Sequence, residues 1–345
     1  MFVLAGLTAF VLTFTLALVA LWLFPKLGLM DRPQQYGLTR ASIPYYGGLV
    51  MVLAFALCIL LFVPWSPQLL GVLLGLGLIV VVSFLDDMFT VHPLIRLGVQ
   101  SFAAVLVALS GVGIRSITNP FGGVFLLDQL QFNFLGQPVL ILSLIFTVIW
   151  IVFVVNSMNF FDGIPGLLSG VSFIASLVLF LLSLRTGHII DQTQLMYLSI
   201  ILVGICGAFV LFDFPIPKIL MGDTGSMFLG FLLAVSAIFA GGKIATVLIV
   251  LGIPLLDAIW STLRRVLAGQ SPFRGDLNHF HHRLLRAGFS QRQVVLLLIG
   301  VSAVFGFITL FLQTYGKMLT IGAIIFAMLL MSLLLFFRHG SRSRY

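Results

Sequence analysis

Two adjacent carboxylates, Asp86 and Asp87, stand directly after a long apolar run. If that run is a helix, both side chains lie at its C-terminus, where the helix dipole is already negative. Adjacent acids at the end of a bare apolar helix are unusual, and they are unfavourable there without a cation. A solvated helix end is the plain structural alternative. The functional interpretation is a site for magnesium or for a cationic substrate.

A second polar segment places Asn156, Asn159 and Asp162 at three-residue spacing. On a helix, this spacing puts the three oxygen-bearing side chains on one face. Gly163 and Gly166 follow, and glycine lets the backbone come close to a ligand. The structural alternative is a polar cap that ends one helix, followed by a turn that starts the next.

A third segment, 221–226, reads Met-Gly-Asp-Thr-Gly-Ser and stands at the start of another apolar run. Free backbone amides at a helix N-terminus suit phosphate oxygens, and Asp223 is available to a metal ion. An ordinary N-cap would explain one Asp or Ser, but it would not require both Gly222 and Gly225.

The segment 263–292 is rich in histidine and arginine. Its charged and titratable residues include Asp276, His279, His281, His282, Arg283 and Arg286. Such donors can hold a diphosphate. Zinc is disfavoured because no cysteine accompanies the histidines and their spacing is not that of a helical i, i+4 pair. A basic loop that merely lies on the membrane surface is the structural alternative.

Together the four segments supply carboxylates for magnesium, glycine-rich turns for phosphates and a basic loop for anions, and this combination indicates phosphoryl transfer.

The helices that carry these segments must lie in lipid. Of 345 residues, 61% are hydrophobic and only 8% are charged, which excludes a water-soluble globule. The net charge of +8 is spread over loops, so nucleic acid is not an expected partner.

The pattern predicts an all-α polytopic membrane protein with about eleven transmembrane helices in a single domain, 1–345. The apolar runs stand at about 2–24, 45–63, 69–85, 97–113, 138–156, 167–184, 194–212, 224–240, 244–262, 293–312 and 318–337. In the ninth run, Pro254 and Asp257 predict an interruption. The segment 115–138 is predicted to form a small external hairpin without chemistry, from runs at Val124–Leu127 and Gln131–Leu135.

Loop charges predict the orientation. Numbering the loops alternately puts fourteen of the 18 lysines and arginines on one side, which predicts an external N-terminus and a cytoplasmic C-terminus. All ten acids are aspartates, and eight of them fall at or near the cytoplasmic face. The positive-inside rule says little about acids, so this second asymmetry indicates a site facing the cytoplasm.

In this order the motifs resemble the polyprenyl-phosphate N-acetylhexosamine-1-phosphate transferases, and particularly the bacterial undecaprenyl-phosphate N-acetylglucosamine-1-phosphate transferases of the WecA/TagO type. The resemblance runs nearly end to end. It rests on Asp31-Arg-Pro33, Pro44 with Gly47-Gly48, Asp86-Asp87 with Arg96 and Gln100, Asn156 to Leu167, Met221 to Gly230, and Asp257 leading to His279-Phe-His281-His282.

The resemblance implies an enzyme of the bacterial cytoplasmic membrane that transfers a sugar 1-phosphate from a UDP-N-acetylhexosamine to undecaprenyl phosphate and releases UMP. It implies a requirement for Mg2+, with Mn2+ as a substitute. The implied metal ligands are Asp223 and Asn159, and the implied catalytic acids are Asp86, Asp87 and Asp162. The implied substrate-binding residues are Asn156, Arg96, Gly163, Lys218, Gly222, Asp276, His279, His281, His282 and Arg283.

The chain departs from the family pattern at several positions. Pro165 stands where the family often has a polar residue. Arg96 replaces a common lysine, Asp213 a common asparagine and Leu277 a common arginine, and the first loop near Gln35–Arg40 lacks the usual histidine and basic run.

Other functions are left open by the residues alone. A phospho-N-acetylmuramoyl-pentapeptide transferase shares the aspartates, but its histidine run ends in glutamate, which this chain lacks. A secondary transporter would show ionisable residues near the bilayer midplane and paired broken helices. The sugar, the surface polymer that is supplied and a homodimer are not fixed by the sequence.

Overall fold

In the computed structural model, the described residues are 1–33, 40–119, 123–134, 137–185, 192–241, 244–270 and 279–340. Asp276 therefore lies outside the described residues, as do Leu277 and most of the first loop. Within these ranges the helices are α1 (Phe2–Lys26), α2 (Gly47–Phe62), α3 (Pro67–Phe89), α4 (Pro93–Leu109), α5 (Ile141–Phe161), α6 (Leu167–Ser183), α7 (Thr193–Asp213), α8 (Gly222–Phe239), α9 (Ile244–Val250), α10 (Gly252–Leu267), α11 (Phe280–Arg286), α12 (Gln291–Thr309) and α13 (Thr314–Gly340).

The helices confirm a multi-pass, all-α membrane protein. Among the described residues, six helices (α1, α3, α5, α7, α8 and α12) are long and apolar enough to cross a bilayer, and the bent pair α9–α10 makes a seventh candidate. Four shorter apolar helices, Gly47–Phe62, Pro93–Leu109, Leu167–Ser183 and Tyr315–Met331, coincide with four other predicted runs. The count of eleven spans and their orientation stay predictions.

The ninth predicted run is broken. Helices α9 and α10 meet at an angle of 82°. Pro254 lies in the first turn of α10 and has no N–H to offer to the preceding helix, while Gly252 tolerates the change of direction. The interruption expected at Pro254 is therefore a sharp bend, and α10 runs in a different direction from α9.

The segment 115–138 differs from the prediction, which expected a single small hairpin. Strand β1 (Ser116–Thr118) pairs antiparallel with β2 (Val124–Leu126), and β3 (Gln131–Phe134) pairs antiparallel with β4 (Gln137–Leu140). The two runs identified in the sequence each belong to a hairpin of their own. Their partners were missed because they are three or four residues long, too short to show alternation.

Helix α8 is the centre of the bundle, with 89% of its span buried inside the protein. It packs against α2, α3 and α5. Glycines permit the close contacts: a Cβ on Gly230 would lie 2.9 Å from the Cα of Val155, and a Cβ on Gly48 would lie 2.2 Å from the amide nitrogen of Gly225. The N-terminus of α8 is thereby fixed among the ends of three neighbouring helices.

Candidate active site

The carboxylate of Asp87 holds the N-terminus of α8. Its Oδ1 accepts hydrogen bonds from the Asp223 amide at 2.8 Å and from the Tyr45 hydroxyl at 3.1 Å. Its Oδ2 accepts from the amide of Thr224 at 3.0 Å and from the hydroxyl of the same residue at 2.6 Å. Unpaired amides and a positive dipole end make this the favourable place for an anion. The C-terminus of α3 is thus joined to the start of α8.

The turn before α8 requires glycine. Gly222 has φ +70°, and a Cβ there would lie 3.0 Å from Oδ2 of Asp87. A side chain would therefore be strained and would crowd the carboxylate. The start of α2 holds the same turn, because Gly47 and Gly48 donate their amides to the carbonyls of Leu220 and Met221, both at 2.8 Å.

Asp86 faces a different partner from Asp87. It accepts a bond from the Val91 amide at 2.7 Å and forms an ion pair with Arg96, which lies in the first turn of α4. The same guanidinium nitrogen of Arg96 lies 3.2 Å from Oδ2 of Asp223. One arginine therefore bridges carboxylates from two of the predicted motifs.

The C-terminal part of α5 supplies amide side chains. Asn159 donates to the Ser226 hydroxyl at 2.9 Å, and its side chain also neighbours the Asp223 carboxylate. Asn156, one turn earlier, donates to Oε1 of the fully buried Gln100 at 2.7 Å. The three-residue spacing does place both amides on the face of α5 that meets the other motifs.

Asp162, the C-cap residue of α5, lies close to other aspartates. Desolvation raises the pKa of its carboxyl well above the usual range, and the nearby carboxylates of Asp213, Asp223 and Asp87 raise it further. Asp213, at the end of α7, is buried and accepts a bond from the Ser169 hydroxyl at 2.8 Å. Like charges in one partly desolvated place favour binding of a cation.

The donor set fits a hard divalent cation that shares its ligands with a substrate. Among the described residues, no three His, Cys, Asp or Glu side chains are grouped so as to enclose a metal by themselves. Mg2+ does not need such a cage, since it usually keeps several waters and takes one or two protein carboxylates together with substrate phosphates. Asp223 and Asn159 offer oxygen ligands next to the Asp87 and Asp162 carboxylates.

His281 and His282 lie on α11 and His279 directly precedes it, and this helix packs against the turn between α5 and α6. His281 is fully buried, and a Cβ on Gly163 would come within 2.1 Å of its Nε2. The His281 ring also makes an edge contact with Phe161. Burial, together with the neighbouring His282 and His279, lowers the pKa of His281 to about 2. This imidazole is therefore neutral at physiological pH.

Arg283 and Lys218, the two remaining cationic residues predicted to bind substrate, have different surroundings. Arg283 is on α11, and desolvation together with the nearby Arg264 lowers the pKa of its guanidinium. Lys218 is exposed on the loop between α7 and α8, and its backbone amide bonds to the Phe212 carbonyl at 2.7 Å. Among the residues that the structure describes, the Lys218 side chain forms no hydrogen bond or ion pair with the carboxylates, so this predicted site residue is not joined to them.

The sequence reasoning missed Tyr45 and Thr224. Burial raises the pKa of the Tyr45 phenol above its usual value, and the Asp87 carboxylate raises it further, so the hydroxyl is a permanent donor. Thr224 was named only as part of a phosphate-binding turn. Finding either role would have required knowing that 44–48 and 220–222 are paired by backbone hydrogen bonds.

The chain matches the family model described as glycosyl transferase family 4 over residues 69–241. The chain is 31% identical to a decaprenyl-phosphate N-acetylglucosaminephosphotransferase from Mycobacterium leprae, over 86% of this chain and 79% of that protein. It is 26% identical to a probable undecaprenyl-phosphate N-acetylglucosaminyl 1-phosphate transferase from Bacillus subtilis, over 91% of this chain and 84% of that protein. The chain is also 29% identical to an undecaprenyl-phosphate alpha-N-acetylglucosaminyl 1-phosphate transferase from Yersinia pestis, over 82% of this chain and 76% of that protein.

Proposed function

The chain belongs to glycosyl transferase family 4, and we propose that it transfers N-acetylglucosamine 1-phosphate from UDP-N-acetylglucosamine to undecaprenyl phosphate, releasing UMP. The observation that carries the proposal is the meeting of Asp86, Asp87 and Asp223 at the N-terminus of α8. The names of the relatives favour this reaction over the phospho-N-acetylmuramoyl-pentapeptide transferase alternative.

We propose that Mg2+, with Mn2+ as a substitute, is held by Asp223 and Asn159. When bound, it would supply positive charge to the diphosphate of the donor. The support is electrostatic: five aspartates (Asp86, Asp87, Asp162, Asp213 and Asp223) gather here, and Arg96 forms ion pairs with two of them. Removing the charge of Asp223 should therefore weaken metal binding.

The acceptor is proposed to enter from the lipid through a groove between α5 and α10. This cavity of about 510 Å3 is almost wholly apolar, and Asn156 and Ser157 are among the α5 residues that line it. Its α10 wall includes Ile259 and Leu263, whose side chains are about half exposed. An isoprenoid tail suits such a wall, and the groove leads the attached phosphate towards the polar end of α5.

The proposed reaction is a single displacement. An oxygen of the lipid phosphate attacks the β-phosphorus of the donor, the bond from that phosphorus to the bridging oxygen breaks, and UMP leaves with that oxygen. The acceptor phosphate has a second pKa of about 6 and needs little help from a base. The harder task is to bring two anions together, and Arg96 and Arg283 are the proposed cations for it. Asp86 and Asp87 then orient neighbouring groups.

This reaction would start a lipid-linked cell-surface polysaccharide. We propose that the site faces the cytoplasm of the bacterial inner membrane, where UDP-sugars are made, in line with the charge asymmetry of the loops. Lys218 and the segment 263–292, including Asp276, His279, His281 and His282, are proposed to contact the donor.

The decisive experiment is to incubate the purified protein with undecaprenyl phosphate, Mg2+ and UDP-N-acetylglucosamine, and to measure UMP and lipid-linked sugar. Asp223→Asn should lose the reaction, whereas Asp128→Asn, at an exposed aspartate of the hairpin region, should keep it. Mg2+ should also raise the unfolding temperature of the wild type but not that of Asp223→Asn. Absence of product with every UDP-hexosamine would overturn the proposal.

The single displacement has its own test. A covalent aspartyl phosphate would accumulate when enzyme is incubated with labelled UDP-N-acetylglucosamine and no lipid acceptor. We expect no labelled protein and no release of UMP under these conditions. Recovery of a phosphorylated aspartate would replace the single displacement with a double one.

A further inference from the structure

Asp257, on α10, is a buried acid that the reaction described above does not use. Only 4% of its surface is exposed. Both of its carboxylate oxygens are engaged by residues that follow 22 and 23 positions later: Oδ2 lies 2.9 Å from Nδ1 of His279, and Oδ1 accepts a bond from the Phe280 amide at 2.9 Å. One side chain therefore ties the bent helix α10 to the first residues of α11.

The bond to Phe280 caps α11. This helix has seven residues, too few to be stable alone, and its first amides have no partner within the helix. A carboxylate that accepts such an amide satisfies a buried donor and complements the positive helix end. The apolar anchors of α11, Phe280 and Leu284, are buried as well. The position of α11 thus depends on Asp257 together with these two side chains.

The bond to His279 fixes the imidazole. An ionised carboxylate can only accept a hydrogen bond, so Nδ1 of His279 must carry the proton. Nε2 is then the ring nitrogen left for a ligand. The ring is held in place by a parallel contact with His281, with centroids 5.9 Å apart, and by Phe160 at 5.8 Å. Asp257 therefore determines the tautomer of His279 and, together with these ring contacts, its orientation.

We propose that Asp257 is a positioning residue for donor binding. It holds α11 against the turn after α5 and presents Nε2 of His279 to the sugar-nucleotide. The proposal rests on the proposed function, because it takes a UDP-sugar as the ligand of the histidine segment. It adds that recognition of the donor depends on a carboxylate that does not itself touch the donor.

Asp257→Asn separates the two contacts of this carboxylate, because it keeps the bond to the Phe280 amide and changes the one to His279. The amide oxygen of asparagine can still accept the Phe280 amide, so the cap is kept. Its NH2 group can only donate, so it pairs with an unprotonated Nδ1 and shifts the proton of His279 to Nε2. We expect a KM for UDP-N-acetylglucosamine raised about tenfold or more, with a smaller change in kcat. Asp257→Glu, which keeps a carboxylate, should recover part of this loss.

The matched control is Ser290→Ala. Ser290 caps the neighbouring helix α12 by accepting the Gln293 amide at 3.3 Å, and its side-chain hydrogen bonds within the described part of the chain are all with Gln293. This variant loses a helix cap and should lower the unfolding temperature without raising the KM for the donor. If Ser290→Ala raised that KM as much as Asp257→Asn does, the effect would be one of stability, and the positioning role would be wrong.

A spectroscopic measurement tests the tautomer without turnover. In protein labelled with 15N-histidine, His279 is assigned by the signal that disappears in His279→Gln. Wild-type His279 should show protonated Nδ1, and Asp257→Asn should show protonated Nε2. A wild-type signal from the Nε2–H tautomer would overturn the proposal. If the wild type turned over no UDP-sugar, the proposed function would fail, while this spectrum would still decide whether Asp257 sets the tautomer.

Discussion

The capping of α8 by Asp87 predicts that Asp87 acts through protein structure. Its two oxygens accept four hydrogen bonds, two of them from Thr224. If its role is to hold the turn that carries Asp223, then loosening the turn from the other side should impair the enzyme too. Thr224→Val makes that change, because it deletes the hydroxyl that donates to Oδ2 at 2.6 Å while keeping the shape of the side chain.

The size of the effect follows from the bond that is lost. A hydrogen bond to a charged group contributes about 1.5–3 kcal/mol, so Thr224→Val should cost about 2 kcal/mol of stability. If the same energy is lost from transition-state stabilisation, kcat/KM falls about 30-fold. Asp87→Asn should cost more, because at least one buried N–H donor of α8 loses its acceptor and the negative charge at the helix N-terminus disappears.

The assay is UMP release together with thermal unfolding in detergent, on both variants and on two controls. Thr224→Ser keeps the hydroxyl and should stay close to the wild type in both measurements. Ser83→Ala removes a hydroxyl from the same helix as Asp87, but one that bonds only to carbonyls of its own helix, at 2.7 and 3.2 Å. It should leave the kinetics unchanged.

One pattern of results would refute the reasoning. If Asp87→Asn abolished turnover while Thr224→Val kept both full activity and full stability, the carboxylate would act on a substrate or on a proton, and the contacts with α8 would be incidental. Loss of activity in both variants, with Thr224→Ser intact, supports positioning.

Three further outcomes are expected. Gly163→Ala places a Cβ within 2.1 Å of His281 Nε2 and should destabilise the protein by about 1–3 kcal/mol. The control Gly77→Ala, where a Cβ would have no atom within 4 Å, should not destabilise it. Unfolding temperatures measure both effects. Burial lowers the pKa of His281 to about 2 in the fold, against about 6.5 in the unfolded chain, so below pH 6.5 the unfolded state binds the extra proton. Stability should therefore fall, by roughly 3 kcal/mol at pH 4.5, and His281→Gln should flatten that slope in unfolding measured across this range. Leu263→Trp fills the groove beside α10 and should raise the KM for undecaprenyl phosphate in UMP-release kinetics, but not the KM for the UDP-sugar.

Much of the fold was predictable because the lipid imposes it. Runs of about 20 apolar residues have few alternatives in a bilayer, and every predicted run corresponds to a helix or to the bent pair. The convergence of the aspartates was also predictable, since alternate loops return to the same face. The partner of each carboxylate was not predictable from the sequence. Asp86 and Asp87 are adjacent in sequence, yet one pairs with Arg96 and the other with the α8 amides.

The missed details all depend on contacts between distant segments. Tyr45 reaches Asp87 across 42 positions, and Gln100 reaches Asn156 across 56. No local pattern reports such pairs. The bend at Pro254 had a local signal, but its angle is set by the way α9 and α10 pack on other helices. One hairpin was predicted where there are two, because the strands β1 and β4 carry no apolar alternation.

The gathering of acids on one side has a physical explanation in this arrangement. Helices α3 and α5 end where α8 begins, so the negative ends of two helix dipoles meet the positive end of one. Asp87 is compensated by the amides of α8, and Asp86 by Arg96. Asp162 has no such partner among the described residues, and nearby acids raise its pKa. The remaining negative charge around Asp223 is what a divalent cation would neutralise, and that cation would in turn allow a diphosphate to approach. If the proposed metal binds, a face rich in aspartate would therefore be able to receive the anionic substrates of the proposed reaction.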